Sequence, residues 1–327
     1  MSANAPHAPH AAALVLGTAQ LGMGYGAANS SGMPPESEAA DIVRTAVQGG
    51  VRAIDTARGY GISEQRVGLA LAARDLPPVT VLTKLDPLIH LTAGTPADEA
   101  VAAAVQSLND SRRALRRERL DILMLHRPSH RTDWSGAVWH MLLRERDAGT
   151  IGKLGVSVQS LEEARAALTD RDVEHLQIPL NLLDRRWGSQ DFGAAREARA
   201  GVTFHARSAL LQGLLAGTPD ARWPVFPGWS PMQMMFQLHR LAQSFGRESL
   251  SDLCIAWVRA QNWIDGIVLG METRAQIDTN LALFRRTPLS KEQCAAVTDA
   301  ISGFPENLAN PPSWPKERRP LSSWQSN

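Results

Sequence analysis

Three apolar runs in the first half of the chain each end in an ionisable residue. Val51-Arg52-Ala53-Ile54 runs into Asp55, Val79-Thr80-Val81-Leu82-Thr83 into Lys84, and Leu120-Asp121-Ile122-Leu123-Met124-Leu125 into His126. Tyr60 follows the first run inside Arg58-Gly59-Tyr60-Gly61. Short aliphatic and β-branched runs read as strands, and polar groups at buried strand ends are costly unless paired. Four complementary groups at one end of three strands therefore point to one site. Their chemistry is proton transfer. A phenol titrates near pH 10 and works as an acid or base at neutral pH only when tuned. An ammonium about 4 Å away contributes at most roughly 4 kcal/mol at an effective dielectric of 20. Lys84 is thus the tuning group for Tyr60, Asp55 the group that anchors Lys84, and His126 a donor that orients a substrate oxygen. No nucleophile is poised on a base, and no metal-ligand spacing appears.

The elements that must position these groups alternate along the chain. Strand-like segments are expected at Leu14–Ala19, Arg52–Thr56, Val79–Lys84, Leu120–His126, Lys153–Val158, His175–Leu180, Thr203–Ala206 and Gly266–Leu269. Helix-like segments follow at Glu36–Gln48, Glu64–Ala73, Ala97–Arg117, Gly136–Ala148, Leu161–Leu168, Phe192–Ala200 and, after the last strand, Arg274–Phe284. Strict alternation implies a parallel sheet covered by helices. Eight such units spaced near 30 residues predict a (β/α)8 TIM barrel, with its active site at the C-terminal ends of the strands. An open doubly wound sheet is the rival. The glycine-rich Gly17-Thr18-Ala19-Gln20-Leu21-Gly22-Met23-Gly24 reads instead as a loop of close backbone approach, not followed at once by a helix. Extra helices are expected at Met232–Phe245 and Ser249–Ala260, between strands seven and eight, and at Ser290–Ser302 near the C-terminus. Thr218 to Met235 carries Trp223, Pro224, Pro227, Trp229 and Pro231. This loop either contacts substrate or packs the helical ring. Residues 1–13 are expected to be a disordered arm and 14–327 one barrel domain, with a tail from about 305.

Composition narrows the function class. Among 327 residues, 34 Lys and Arg against 33 Asp and Glu give a net charge of +1. That balance argues against nucleic acid or an anionic membrane surface as partner. Arg112-Arg113, Arg116-Arg117 and Arg119, with Asp110 and Glu118 nearby, read as a solvated helix face. Two cysteines, Cys254 and Cys294, cannot make a disulfide framework and fit a reducing, cytoplasmic compartment. No apolar run is long enough to span a bilayer, and the start of the chain lacks the features of a signal peptide.

The set closely resembles the aldo-keto reductase superfamily in its bacterial members. The resemblance is carried by Ile54-Asp55-Thr56-Ala57, Gly59-Tyr60-Gly61 with Glu64, Thr83-Lys84 and Leu125-His126-Arg127-Pro128, and extends from Gly17 to about Leu281. It implies a (β/α)8 barrel using Asp55, Tyr60, Lys84 and His126 with NADP or NAD. It also implies carboxamide contacts from Ser157 and Gln177. Ser208, Leu210 and Gly213 would form a pyrophosphate loop, and Gly270, Thr273, Gln276 and Asn280 would hold the adenosine end. Three positions depart from the family pattern. Val158 stands where many relatives have Asn, Gln276 where several NADPH-dependent relatives have Arg, and Glu272 lies near the 2′ site with Arg274 two residues on. Family habit puts NADP ahead of NAD, while Glu272 and Gln276 argue for NAD. The activity implied is hydride transfer between a nicotinamide and an aldehyde or ketone, or the matching alcohol or sugar hydroxyl. Two alternatives are a Schiff-base lyase or aldolase using Lys84 and a non-catalytic, cofactor-sensing subunit.

Overall fold

The computed structural model describes residues 11–29, 32–73 and 75–324. β1 (Ala13–Gly17) leads into a one-turn helix, α1 (Ala19–Gly22), and then α2 (Glu36–Gln48). β2 (Ala53–Asp55) is followed by α3 (Ser63–Leu71), β3 (Thr80–Lys84) by α4 (Ala97–Leu115), and β4 (Leu120–Leu125) by α5 (Ala137–Asp147). β5 (Ile151–Ser157), α6 (Leu161–Leu168), β6 (His175–Pro179), α7 (Gln190–Glu197) and β7 (Thr203–Arg207) continue the alternation. A short β8 (Arg222–Pro224), α8 (Pro231–Ser244) and α9 (Leu250–Arg259) intervene before β9 (Gly266–Gly270) and α10 (Arg274–Arg285). α11 (Lys291–Ala300) and β10 (Arg318–Pro320) lie in the C-terminal segment.

Eight parallel strands close in the order β1-β2-β3-β4-β5-β6-β7-β9. The expected TIM barrel is therefore present. Its register aligns Gly17 with both Asp55 and Gly270, and Ser157 with Gln177 and Gln177 with His205. Helix ends follow local chemistry. α4 opens with Asp98 and Glu99 in its first turn and closes with Arg112 and Arg113 in its last, each sign matched to the helix dipole. Ser160 with Glu163 and Thr273 with Gln276 form capping boxes at the starts of α6 and α10. Val15, Leu82 and Met124 pack with Ala53, Ile122 and Val268 inside the barrel, as an apolar layer contributed by strands on its β1–β4 and β9 side. The larger core lies between the strands and the surrounding helices.

The structure revises several expectations. β1 ends at Gly17, not Ala19, and α1 follows it directly. The chain turns at Thr18, whose hydroxyl donates to the Asp55 carbonyl at 2.8 Å. The arm expected over residues 1–13 falls outside the described residues for 1–10. Ala13 already pairs with Gly266 in the barrel. The antiparallel pairing of β8 with β10, Trp223 opposite Arg319, was not expected. It folds the tail against the long β7–β9 excursion. Trp223 is fully buried there among Leu211, Leu214, Leu238 and Trp314. Trp229 packs on Trp223 and Phe226, at 6.2 and 6.0 Å between ring centres. Packing is thus the reading of this tryptophan loop that the structure supports. Among the described residues, no helix is long and apolar enough to cross a membrane.

Candidate active site

Asp55 ends β2, Lys84 ends β3 and His126 follows β4 by one residue. The strand register therefore sets these three on one rim, and the β2–α3 turn brings Tyr60 over them. Lys84 Nζ donates to Asp55 Oδ1 at 2.7 Å and to the Thr56 carbonyl at 3.0 Å. It stands 4.8 Å from the centre of the Tyr60 ring. Tyr60 meets His126 edge-on, with 5.7 Å between ring centres.

The turn that carries Tyr60 is held by close backbone contact with the loop after β1. A Cβ on Gly22 would fall 2.0 Å from the Tyr60 carbonyl oxygen, and one on Gly61 2.3 Å from the Gly22 carbonyl oxygen. Gly61 also has a φ of +57°, so both positions require glycine. Glu64 braces the same turn from inside. It accepts from Arg58 at 2.7 Å and from Thr83 at 2.6 Å, tying α3 to β3.

Electrostatics assign protonation states to two of the four. Burial pushes the Lys84 ammonium down, but the attraction of the Asp55 carboxylate, with Tyr60 beside it, outweighs burial, and its pKa is raised above the ordinary lysine value. His126 is pushed down to about 3, first by burial and then by the charges of Lys84 and Arg207. It is a neutral imidazole at physiological pH, with Nδ1 buried and without a partner among the described residues.

A cavity of about 450 Å³ opens beside Asp55 and Tyr60. That is within the roughly 300–1,000 Å³ range of small-molecule sites. Of the residues expected to hold a dinucleotide, Ser208, Leu210, Gly213, Gly270, Glu272, Gln276 and Asn280 line it. Ser157 and Gln177 do not. The Gln177 amide instead donates to Asp55 Oδ2 at 2.7 Å and clamps the carboxylate that holds Lys84. Val158 is fully buried and also off the cavity wall. Thr273 caps α10 with its hydroxyl, and the Gln276 side chain accepts from the backbone N–H of Glu272 at 2.6 Å. Arg274 points away, 76% exposed and paired with Asp278. Burial raises the Glu272 carboxyl, and a hydrogen bond from Gln20 opposes the rise.

The wall suits a pyrophosphate group. Ser208, Leu211 and Gln212 all take positive φ, 62°, 47° and 55°, and Gly213 takes +91°. Non-glycine residues in this region cost about 1–3 kcal/mol each and cluster at ligand clamps. Successive backbone amides in such turns form anion-binding concavities. The residues present therefore fit a dinucleotide. Among the described residues, no group of three His, Cys, Asp or Glu is arranged to hold a metal ion.

Sequence reading missed Gln20, Tyr25, Asn29, Arg207, Ser249 and Ser251, all on the cavity wall. Two of these carried a usable signal. Arg207 is an ionisable residue that ends a strand, like Asp55 and Lys84, and was lost because the strand was stopped at Ala206. Tyr25 is one of only two tyrosines in the chain, the other being Tyr60. The rest come from α1, the loop after it and the start of α9, whose approach depends on the barrel closing.

The comparisons with known proteins agree with this architecture. The model of the aldo/keto reductase family matches residues 13–302. The chain is similar to aldo-keto reductase YhdN of Bacillus subtilis (strain 168), 22% identical over 321 residues, covering 92% of this chain and 94% of that one. Among solved structures it resembles the holo form of aldo-keto reductase AKR11C1 from Bacillus halodurans. That likeness has a TM-score of 0.68 and 19% identity, over 91% of this chain and 95% of the other. It also resembles the glycerol dehydrogenase AKR11B4 from Gluconobacter oxydans, with a TM-score of 0.67 and 24% identity, over 88% and 90% of the two chains. With a family match across most of its length and a closed barrel to carry it, this chain belongs to the aldo/keto reductase family and is an oxidoreductase.

Proposed function

We propose that the protein reduces an aldehyde or ketone with NADPH or NADH, Tyr60 giving the proton to the carbonyl oxygen. The observation that carries this is the convergence of Tyr60, Lys84, Asp55 and His126 beside a cavity lined by Ser208, Gly213, Gly270 and Asn280. A bound reduced nicotinamide supplies the hydride. Tyr60 holds the transferable proton beside the Lys84 ammonium. Asp55, clamped by Gln177, fixes that ammonium in place. His126, neutral, donates a ring N–H to the carbonyl oxygen and orients it toward Tyr60. The reverse oxidation of an alcohol or sugar hydroxyl uses the same groups.

The state of Lys84 separates this reading from a Schiff-base lyase. An amine attacks a carbonyl only when deprotonated. Lys84 is 1% exposed and its pKa is raised, so it is an anchored ammonium. Two unpaired cysteines support a cytoplasmic setting.

Glu272 is the group we assign to the cofactor's 2′ position. The expectation of NADP ahead of NAD gains nothing from Arg274, which faces solvent. Glu272 lines the cavity and would repel a 2′-phosphate while accepting from a 2′-hydroxyl. Glu272→Gln is expected to move the ratio of dissociation constants toward NADPH by about tenfold, the effect of removing one like charge near 1.4 kcal/mol. Fluorescence titration of both dinucleotides measures it, and an unchanged ratio would release Glu272 from this role. The activity itself is tested with a panel of sugars, pyridoxal-like aldehydes and aromatic aldehydes, each run with NADPH and NADH. Dinucleotide binding without turnover of any panel member would favour the cofactor-sensing alternative.

A further inference from the structure

Tyr60 and Lys84 come from different strands, so their spacing depends on how the β2–α3 turn sits against β3. One carboxylate touches both segments. Glu64 Oε1 accepts from the Thr83 hydroxyl at 2.6 Å, and Thr83 is the residue before Lys84. Glu64 Oε2 accepts from Arg58 Nη1 at 2.7 Å, and Arg58 stands two residues before Tyr60. The backbone closes the same circuit, since the Arg58 N–H donates to the Lys84 carbonyl at 3.1 Å. Glu64 is itself held from behind. A Cβ on Gly68, one turn further along α3, would fall 2.2 Å from the Ala114 carbonyl oxygen, so α3 lies in close backbone contact with the end of α4.

Glu64 is 1% exposed and Thr83 is fully buried. Arg58 is the single ionic partner of Glu64 among the described residues. Taking a carboxylate out of water costs free energy, and an apolar residue of similar size is often as stable in such a place. Stability alone therefore gives a weak reason for a charge here. Geometry gives a stronger one. Each carboxylate oxygen can accept, so a single group holds two donors on separate segments at a fixed spacing. The opposite side of the turn is held without charge. Ser63 Oγ donates to the Thr18 carbonyl at 2.8 Å and stands 2.9 Å from Thr56 Oγ1. That knot ties the turn to the end of β1, while Glu64 reaches β3 next to Lys84.

We propose that Glu64 is a positioning residue for the proton-transfer pair. Through Arg58 and Thr83 it fixes the spacing between the Tyr60 phenol and the Lys84 ammonium, 4.8 Å from ammonium to ring centre. The effect on rate rests on the reductase reading above; the effect on Tyr60 does not. A phenol beside a cation ionises more readily, and the attraction falls with distance. Loosening the bridge lets the two groups separate, so Tyr60 should ionise at higher pH. Losing the negative charge of Glu64, which also bares Arg58, would by itself act the other way. The direction of change thus separates positioning from a direct field. The other charged and titratable groups around Tyr60 are Asp55 from β2, Lys84 from β3, His126 after β4 and Tyr25 from the loop after α1, and the test alters none of them.

The chain has two tyrosines. Tyrosine isotopically labelled at Cζ therefore gives two carbon resonances, and Tyr60→Phe assigns them. The full chain is titrated as wild type and as three variants. Glu64→Leu removes both hydrogen bonds, and Thr83→Val removes the one to β3. Glu64→Gln can keep both, its oxygen accepting from Arg58 and its amide donating to the Thr83 oxygen. The Tyr60 resonance should titrate at higher pH in Glu64→Leu, by a smaller step in the same direction in Thr83→Val, and close to wild type in Glu64→Gln. Hydride transfer in a single turnover should slow about ten- to a hundredfold in Glu64→Leu, with dinucleotide affinity unchanged. If Glu64→Leu does not fold, Thr83→Val and Glu64→Gln still carry the comparison. A wild-type titration in Thr83→Val or in Glu64→Leu would overturn the proposal and leave Glu64 as a brace for α3. So would a move to lower pH in Glu64→Leu and Glu64→Gln alike. The titration needs no substrate, so the expected shifts in an enzyme that reduces no carbonyl compound would support the positioning role and sink the reductase reading.

Discussion

Lys84 and Asp55 are each almost wholly enclosed, with side chains 1% and 4% exposed. Removing one partner of such a pair leaves a buried charge alone, at a cost of about 3–5 kcal/mol. Lys84→Met should therefore lower the melting temperature as well as activity. Adding Asp55→Asn removes the orphaned charge, so the double variant should regain much of the stability and none of the activity. Calorimetry beside a reduction assay separates the two effects. If the double variant stayed as unstable as Lys84→Met, the pair would not be the source of the loss. These residues were readable in the chain because an ionisable side chain ending an apolar run is conspicuous. Gln177 was readable only as a position. That its amide would clamp Asp55 depends on β2 and β6 facing each other across the barrel, which no local pattern encodes.

At the level of elements, the eight barrel strands and the helices after them were legible from periodicity, and their observed bounds differ by at most three residues at either end. The differences lie where tertiary contact overrides local preference, as at Thr18, where a hydrogen bond to the neighbouring strand stops β1. The β8–β10 pair was not legible, because Arg222–Pro224 and Arg318–Pro320 are three residues each and almost a hundred apart. The loop after β7 makes its own prediction. Gly213 has a φ of +91°, and a Cβ there would meet the Ala28 Cβ at 2.6 Å. Gly213→Ala should weaken dinucleotide binding about tenfold, near 1.4 kcal/mol, by moving the loop. Gly228→Ala is the control. It carries the same kind of backbone strain, with a φ of +70°, but opens onto free space. It should cost stability and leave dinucleotide affinity alone. Equal effects of both on affinity would mean the loop's path is not what holds the cofactor.

The whole molecule should weaken in mild acid. Four buried or part-buried histidines have lowered pKa values: His126 at about 3, His205 at about 4, with His130 lowered and His175 well below its ordinary value. His175 and His205 meet edge-on with 4.4 Å between ring centres, and neither ring nitrogen of His175 has a partner among the described residues. Burial is the leading cause at all four. The unfolded chain binds protons near pH 6.5, which the folded chain refuses until far lower. Stability is thus complete above about pH 6.5 and falls as the pH drops toward 4. The melting temperature should decline across that window, and His205→Gln should flatten the slope. A flat profile from pH 7 to pH 4 would contradict the buried neutral state of these rings.

The central claim is that Tyr60 supplies the proton that completes carbonyl reduction. Its most direct test is single-turnover oxidation of the bound reduced dinucleotide by a good aldehyde, comparing wild type with Tyr60→Phe. Dinucleotide affinity is measured on the same samples. The account expects the variant to bind the dinucleotide as wild type does and to lose about 10²- to 10⁴-fold in the hydride-transfer rate, the usual worth of a general acid. A Tyr60→Phe enzyme that kept its affinity and turned over at a near-wild-type rate would contradict it.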